Sequence, residues 1–483
     1  MGKLYQVRRF HEFGDSSREW SNFAVVIIGS GACGLTAALM LKDLGVEALV
    51  LERDGASSGS TALSSGFVPA AQTLAQKRAG IKDSIDAFAA DVQAKAHGTA
   101  AAHLVQAYCQ AVPKAIDALE MNHGVEWHVL DQFLYPGHSQ YRMHAVREKT
   151  GEGLMSSLLN AAERAGVTLL HNAHAQELVL DSSDNIVAVG FRRPDDSMEY
   201  VQTQALILAC NGFGANEQLV REYLPAIANA FYAGHHGNDG AAVMWSKDLG
   251  VSLMDMGAYQ GHGSWAIAQG SLITWAIMMQ GGVQLNSRGE RFHNETLGYS
   301  EAAVEVLSQP DGQAWAVIDT ELLSLAQGFP DFVQAQKLGA VKRCEDIAQL
   351  AKLISCDPDV LAKTLSWPLS DEIDSPESQA KEGDLGALRT RVFKRRLTPP
   401  LYAIHVTGAL FHTQGGLNID EHCRVLNASA QPFKNLWAAG GAARGVSGNA
   451  VWGYLSGNGL LSALAGGFIA AQSVAQQIES KNS

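Results

Sequence analysis

The chain has 483 residues, with 36 Lys+Arg against 49 Asp+Glu and a formal charge of −13. That length calls for two or three domains, and that balance opposes non-specific binding to nucleic acid or an anionic membrane. Six scattered cysteines, Cys33, Cys109, Cys210, Cys344, Cys356 and Cys423, form no CxxC pair, so neither a metal site nor a disulfide framework is expected and a reducing cytoplasm suits them.

Residues 1–22 are polar and mixed in charge, without the apolar run of a signal peptide, so no export is expected. Residues 23–28 then run apolar and β-branched, as a buried strand should, and lead into Gly29-Ser-Gly-Ala-Cys-Gly34. A helix is expected over 36–44, closed by Gly45, and a second strand over 47–51 ending on Glu52. Residues 54–73 form a loop rich in Gly, Ser and Ala, and helical segments follow from about 81 to 119. Short strands are expected at 167–170, 175–180 and 186–192, and a buried one at 205–210 running into Asn211 and Gly212. From about 255 the texture becomes Trp-rich, Gly-rich and apolar, then charged, with a polar loop at 373–386. A strand at 435–439, a glycine-dense loop and a C-terminal helix at 460–479 return to the texture of the first part. Two nearly uncharged stretches, 262–287 and 445–479, are broken by polar residues and read as buried elements, so no transmembrane segment is expected. The reading is an α/β protein: a Rossmann-like nucleotide domain in two parts, 1–254 and 396–483, interrupted by an inserted α+β capping domain at 255–395.

A lone GxGxxG is a weak signal, but here it follows a strand, opens a helix and is followed by an acid at Glu52. Gly29 permits the tight turn, Gly31 lets the backbone approach a pyrophosphate, Gly34 allows close helix–strand packing, and the helix N-terminus offers N–H groups and its positive dipole end. An acid at Glu52 suits ribose hydroxyls and disfavours a 2′-phosphate. FAD and NAD both fit this motif taken alone.

Further blocks accompany it: Gly59-Ser-Thr-Ala-Leu-Ser-Ser-Gly66, residues 207–216 around Asn211 and Gly212, residues 286–295 around Arg288 and Arg291, Pro400-Leu-Tyr-Ala403, His412-Thr-Gln-Gly-Gly416 and Asn435-Leu-Trp-Ala-Ala-Gly440. In these, in this order and over nearly the whole chain, the sequence resembles the flavoprotein family of soluble fumarate reductases, succinate dehydrogenase flavoprotein subunits and 3-ketosteroid dehydrogenases. The resemblance implies FAD, a capping domain, an active site on one face of the flavin, and redox chemistry at a carbon–carbon single or double bond. It carries flavin contact onto Gly29, Gly31, Ala32, Gly34, Glu52, Arg53, Ser60, Thr61, Ser65, Gly66, Asn211, Gly212, Gly440, Gly441, Asn458 and Leu460. Succinate dehydrogenases attach FAD through a histidine at the position of Ser60; serine cannot form that bond, so FAD is expected to be non-covalent.

The sequence departs from the dicarboxylate enzymes of this family. Their proton-delivering arginine aligns with Met278 or Met279, at the Gly-x-Gly of a capping-domain strand, and their clamp histidine with Phe411, leaving His412 beside it. Their C-terminal clamp arginine aligns with Tyr454. A desolvated dicarboxylate without paired cations would cost several kcal/mol. Gln260-Gly-His262 keeps the family's Gln-x-His, and Gly453-Tyr-Leu-Ser-Gly457 is similar to the ketosteroid 4-dehydrogenase branch. The resemblance therefore points to α,β-desaturation of a neutral hydrophobic or cyclic ketone. Tyr454 would be base or carbonyl donor, assisted by Ser456 or the Gly457 N–H, with Tyr259 and His262 as second candidates. Trp265, Trp275, Met278, Met279, Phe411 and Trp452 would form an apolar wall, although each also reads as an ordinary core residue. Arg288 and Arg291 read as ion-paired with Glu290 or Glu295, and Arg444 as a binder of substrate carboxylate or of FAD phosphates. The competing readings are a fumarate- or enoate-type reductase and a non-catalytic flavin-binding electron-transfer subunit. No cysteine cluster or haem signal supplies an internal relay, so the electron acceptor is external (oxygen, a quinone or a carrier protein), and a homo-oligomer is compatible with the sequence.

Overall fold

The computed structural model describes residues 4–132, 134–366 and 396–482; the polar loop expected at 373–386 lies outside the described residues. The chain divides into two compact units. One comprises Met1–Pro225, Gly234–Tyr259 and His412–Ser483, the other Ala226–Ala233 and Gln260–Phe411.

The first unit carries the βαβ motif. β1 (Gln6–Arg9) is an edge strand that the polar N-terminal sequence did not suggest. β2 (Ser21–Ile28) passes from two exposed residues into Val25, Val26, Ile27 and Ile28, all buried. α1 (Ala32–Asp43) starts at Gly31 and buries every residue from Ala32 to Leu41. β3 (Ala48–Leu51) lies parallel to β2, with Val25 opposite Ala48 and Ile28 opposite Leu51. After α2 (Gly151–Ala165) come β4 (Thr168–Leu170), β5 (His174–Leu180), β6 (Ile186–Arg192) and β7 (Met198–Leu208), giving the strand order β1-β5-β6-β7-β2-β3-β4.

β7 is longer than its apolar stretch. Its first half, with alternating burial, forms a hairpin with β6, while Leu206, Ile207 and Leu208 lie parallel to both β2 and β8 (Pro432–Ala438). The chain thus leaves this sheet and returns to it more than 200 residues later. The closing helix, α3 (Asn458–Asn482), is long and apolar enough to cross a membrane by length and composition. Its apolar window is 67% buried within the protein, and it packs so closely on α1 that a Cβ at Gly467 would stand 2.4 Å from the Cys33 carbonyl oxygen.

The second unit is organised by the long strand Leu401–Thr413, which pairs antiparallel with Gln313–Asp319 and parallel with Phe231–Tyr232. Ile277, Met278, Val306, Ile318, Phe332, Ile404 and Val406 are among its core. Met278 and Met279, aligned before a capping-domain strand, lie in a short helix, Ala276–Met279, and the strand Val283–Leu285 follows. Two glycines end the helix, Gly281 at φ 116° and Gly282, and the Trp275 indole N–H donates to the Glu295 carbonyl at 3.0 Å.

In the first unit, burial holds His138, His144 and His174 down to about 4. The unfolded chain takes up protons on these rings below about 6.5, and the native protein does so only near the lower value. Stability present above the unfolded value is therefore lost as pH falls toward 4, offset in part by Asp117, whose carboxyl burial raises. Denaturant midpoints measured at pH 7.5, 6 and 5 are expected to decline in that order; a flat series would show that these rings are charged in the native protein.

Candidate active site

The nucleotide cradle follows from close packing. A Cβ at Gly34 would stand 1.9 Å from the Gly29 carbonyl oxygen, and one at Gly29 (φ 106°) would stand 2.4 Å from that of Ala209. At Gly31, by contrast, a Cβ would meet nothing nearer than the Thr61 hydroxyl at 3.5 Å. Gly34 and Gly29 let α1 descend onto the end of β2, and Gly31 leaves open the space before the helix N-terminus where a pyrophosphate would bind.

Glu52 is held ready. Its Oε2 accepts from the Ser30 N–H at 3.1 Å and from the Ser30 hydroxyl, and its Oε1 accepts from the Asp54 N–H at 3.1 Å. Ser30 was not singled out in the sequence, though a hydroxyl inside the glycine motif is the signal that it was there. Thr61 accepts from the Ala32 N–H at 3.0 Å and so caps α1 rather than leaving that donor for a phosphate. Arg53 donates to the Gly237 carbonyl at 2.8 Å and to Asp239 at 3.1 Å, and Ser60 accepts from the Asn238 amide at 2.7 Å. Ser65 and Gly66 follow the short helix Gly59–Leu63. Asn211 takes a left-handed conformation (φ 63°) and accepts from the Gly212 N–H at 2.9 Å. Gly440 and Gly441 form a tight turn directly after β8. Asn458 and Leu460 lie in the first turn of α3, where Asn458 Oδ1 and Ser462 Oγ are buried without a protein hydrogen-bond partner. Buried polar atoms are rarely left so. An open glycine cradle, a poised acid and orphaned polar atoms at a helix N-terminus together fit an FAD whose phosphates, ribose and flavin edge would meet them.

The residues assigned to chemistry fall in two groups. In the first unit, Tyr454 and Ser456 are buried at 5% and 3% exposure on the loop before α3. Gly457 sits at φ 89° between them and the helix. The Ser456 carbonyl accepts from His138 Nε2 at 2.9 Å, the Tyr454 ring meets His412 edge-on at 5.6 Å, and Trp452 stacks on His97 at 4.3 Å. Tyr259 is buried in the same unit. His138, which anchors the Ser456 backbone across 318 residues of sequence, was not recognised; nothing local marks it.

In the second unit His262 stacks on Tyr299 at 4.9 Å and packs against Trp275 and Phe411 at 5.7 and 5.8 Å, and Trp265 meets Phe411 at 5.7 Å. Its Nδ1 accepts from the Ser264 N–H at 3.1 Å, and burial pushes the ring down to about 3, so this histidine is neutral. Met278 and Trp275 belong to the unit's own core, and Met279 packs on its edge.

Arg444, weighed as an anion binder, is committed elsewhere, while Arg288 and Arg291 make the ion pairs expected of them. Arg444 donates twice to Asp255, at 2.9 and 2.7 Å, Arg291 makes a buried two-point pair with Glu295 at 3.1 and 2.6 Å, and Arg288 pairs with Glu290 at 2.7 Å. Among the described residues, no cluster of three or more His, Cys, Asp or Glu could hold a metal ion.

Residues 24–460 match the FAD binding domain family. The chain belongs to that family: it is a flavoprotein oxidoreductase, with FAD as its cofactor. Among curated relatives it is 26% identical over 439 residues to the NADH:fumarate oxidoreductase of Klebsiella pneumoniae (strain 342), covering 90% of this chain and 46% of that protein. It is 25% identical over 426 residues to a fumarate reductase (cytochrome) of Shewanella frigidimarina, covering 88% and 72%. The chain thus spans about half the length of the Klebsiella relative. Its fold matches a flavocytochrome c3 fumarate reductase in its open conformation at a TM-score of 0.77, with 23% identity and coverage of 96% of this chain and 80% of that one. It also matches the 3-ketosteroid-Δ4-(5α)-dehydrogenase of Rhodococcus jostii RHA1 at 0.74, with 22% identity and coverage of 97% and 99%. These matches bear out the two-part FAD domain with an inserted capping domain.

Replacing Glu52 with Ala would remove the acceptor proposed for the ribose and free Ser30. A charge-assisted hydrogen bond contributes about 1.5–3 kcal/mol, so FAD affinity is expected to fall roughly ten- to hundredfold, read by flavin fluorescence on titrating FAD into the apoprotein.

Proposed function

We propose that this protein is an FAD-dependent dehydrogenase that introduces a carbon–carbon double bond α,β to the carbonyl of a neutral hydrophobic or cyclic ketone. The observation that carries this reading is the fate of charge among the candidate residues. The buried arginines Arg291 and Arg444 are closed into ion pairs with Glu295 and Asp255, and His262 is a buried neutral ring among Trp275, Tyr299 and Phe411. A dianionic substrate would have to break one of these pairs and leave a carboxylate uncompensated, at a cost of several kcal/mol. A ketone needs only hydrogen-bond donors.

Desaturation requires that the carbonyl be polarised so the α-proton becomes acidic, that a base accept that proton, and that the β-hydrogen depart as hydride. Bound FAD supplies the hydride acceptor. Tyr454 takes the α-proton or donates to the carbonyl oxygen, with Ser456 or the Gly457 N–H beside it, and Tyr259 and His262 are the further polar candidates. Trp265, Met279, Phe411 and Trp452 supply apolar surface for the substrate. Ser60 leaves FAD non-covalent, and electrons pass on to an external acceptor: oxygen, a quinone or a carrier. The described cysteines are all free, in keeping with a cytoplasmic protein.

A second reading, reduction of an activated double bond, is favoured by the curated relatives, which include fumarate reductases and a urocanate reductase of Eggerthella lenta, 26% identical over 431 residues.

Anaerobic mixing with cyclohexanone, a 3-ketosteroid, succinate and NADH in parallel separates these readings. Loss of the flavin's visible absorbance with a ketone alone is the expected result, and Tyr454→Phe should then slow it about 10²–10⁴-fold. Loss with succinate alone would overturn the ketone reading, and loss with NADH alone would favour the reductase. Acid precipitation of the holoprotein is expected to leave all flavin in the supernatant; flavin retained in the pellet would show a covalent link.

A further inference from the structure

A chain of uncharged, buried side chains runs from the start of α3 to His412. Asn458 Nδ2 lies 3.0 Å from Ser447 Oγ, Ser447 Oγ lies 3.0 Å from Gln414 Oε1, and Gln414 Nε2 lies 3.1 Å from His412 Nδ1. Asn458, Ser447 and Gln414 are at 0%, 1% and 4% exposure. The Gln414 backbone is pinned on both sides, its N–H to the Ala258 carbonyl and its carbonyl to the Gly445 N–H, each at 2.8 Å.

The chain has a sense. An amide nitrogen only donates and an amide oxygen only accepts. Asn458 therefore donates to the Ser447 oxygen, the Ser447 hydroxyl donates to Gln414 Oε1, and Gln414 Nε2 donates to His412 Nδ1, which must be the unprotonated nitrogen. The reversed sense, with both amides turned, would leave the Asn458 NH₂ group at the N-terminus of a 25-residue helix, where the helix's own free N–H groups and positive dipole end disfavour another donor. The forward sense leaves Asn458 Oδ1 there, the oxygen found without a protein partner. The competing acceptor for an Nδ1 proton, the Thr413 carbonyl at 3.2 Å, would set that proton against the Gln414 donor.

We propose that Asn458, Ser447 and Gln414 form a hydrogen-bonded chain that fixes His412 as its neutral, Nε2-protonated tautomer, making the ring a permanent hydrogen-bond donor beside Tyr454, with Gln414 as the positioning residue. Among the described residues, both hydrogen-bonding contacts of the ring are at Nδ1, which leaves Nε2 as the working end. Gly459 makes room for it: a Cβ there would stand 2.7 Å from both Nε2 and Cε1. The fixed tautomer also divides the labour. A ring that already holds its Nε2 proton, and that burial keeps from gaining another near neutral pH by lowering it to about 4, cannot take the α-proton. It can donate to the oxygen of a ketone as negative charge develops there, which leaves proton abstraction to Tyr454. This use of the donor rests on the ketone reading above; the tautomer does not.

The test is ¹⁵N NMR of histidine-labelled holoprotein at pH 7.5, with the His412 signals assigned by their loss in His412→Gln. A protonated Nε2 and an unprotonated Nδ1 are expected. Gln414→Glu replaces the donor with a carboxylate that can only accept, and should move the proton to Nδ1 or leave the ring doubly protonated. Ser447→Ala, one link further away, should give a mixture of the two neutral tautomers and serves if the Glu variant does not fold. A protonated Nδ1 in the wild-type protein, or signals unmoved in these variants, overturns the proposal. In any variant whose spectrum shows the Nε2 proton lost, the rate of flavin reduction by a ketone should fall about tenfold for loss of one aimed hydrogen bond, while His412→Gln, which keeps a donor, should retain more activity than His412→Leu. If no ketone reduces the wild-type flavin, the functional reading fails while the NMR result still decides the tautomer.

Discussion

The structure depends on how closely α1 is allowed to approach the end of β2. With a side chain at Gly34 the helix would be displaced from the Gly29 carbonyl, and with one at Gly467 the closing helix would be displaced from α1. The end of β2, the N-terminus of α1 and the packing of α3 are thus one geometric condition, imposed by van der Waals contact rather than by any polar interaction. Helix dipoles and free N–H groups act only over the first turn, so a displacement of a few ångströms would leave an anion-binding fold without its anion site. The same contact sets α3 in place, and with it the loop that carries Tyr454.

On that frame the proposed preference for a neutral ketone would come mainly from removing charge. Arg444 and Arg291 could each hold an anion, and each already holds a carboxylate of the protein, Asp255 from a distant stretch of sequence and Glu295 from four residues on. Buried pairs of this kind add little net stability. Their effect here is to leave both guanidinium groups already neutralised. His262 and His412 reach neutrality by the same route, since burial removes the water that would stabilise an imidazolium.

The βαβ unit was legible because its constraints are local: three glycines, a following apolar helix and an acid at the end of the second strand lie within 24 residues of one another. The short strands at 186–192 and in β8 could be read for a similar reason, as β-branched or apolar runs bounded by turns. β1 could not. Its four residues include two arginines, and it is a strand only because β5 presents an open edge beside it. At 275–282 the family alignment gave no secondary structure for the residues ahead of its strand; they form a short helix that paired glycines end before the strand Val283–Leu285. His138 was invisible for a further reason: its partner is the Ser456 backbone, and a backbone carbonyl leaves no trace in a sequence.

The polar chain to His412 lies between these cases. Gln414, Ser447 and Asn458 each sit in a glycine-rich block that the sequence marks as important, and glycines are what bring those blocks together. Yet their connection spans 33 and then 11 residues, and it can be written down only once a donor and an acceptor have been assigned to every amide. Within the first unit this chain joins the two ends of the chemistry: the start of α3, where an orphaned oxygen awaits a donor, and the histidine that packs on Tyr454. No member of the chain carries a charge, so it can order protons near the flavin end without adding an ion that the apolar surroundings would have to neutralise. That is the same solution the ion-paired arginines reach from the opposite direction.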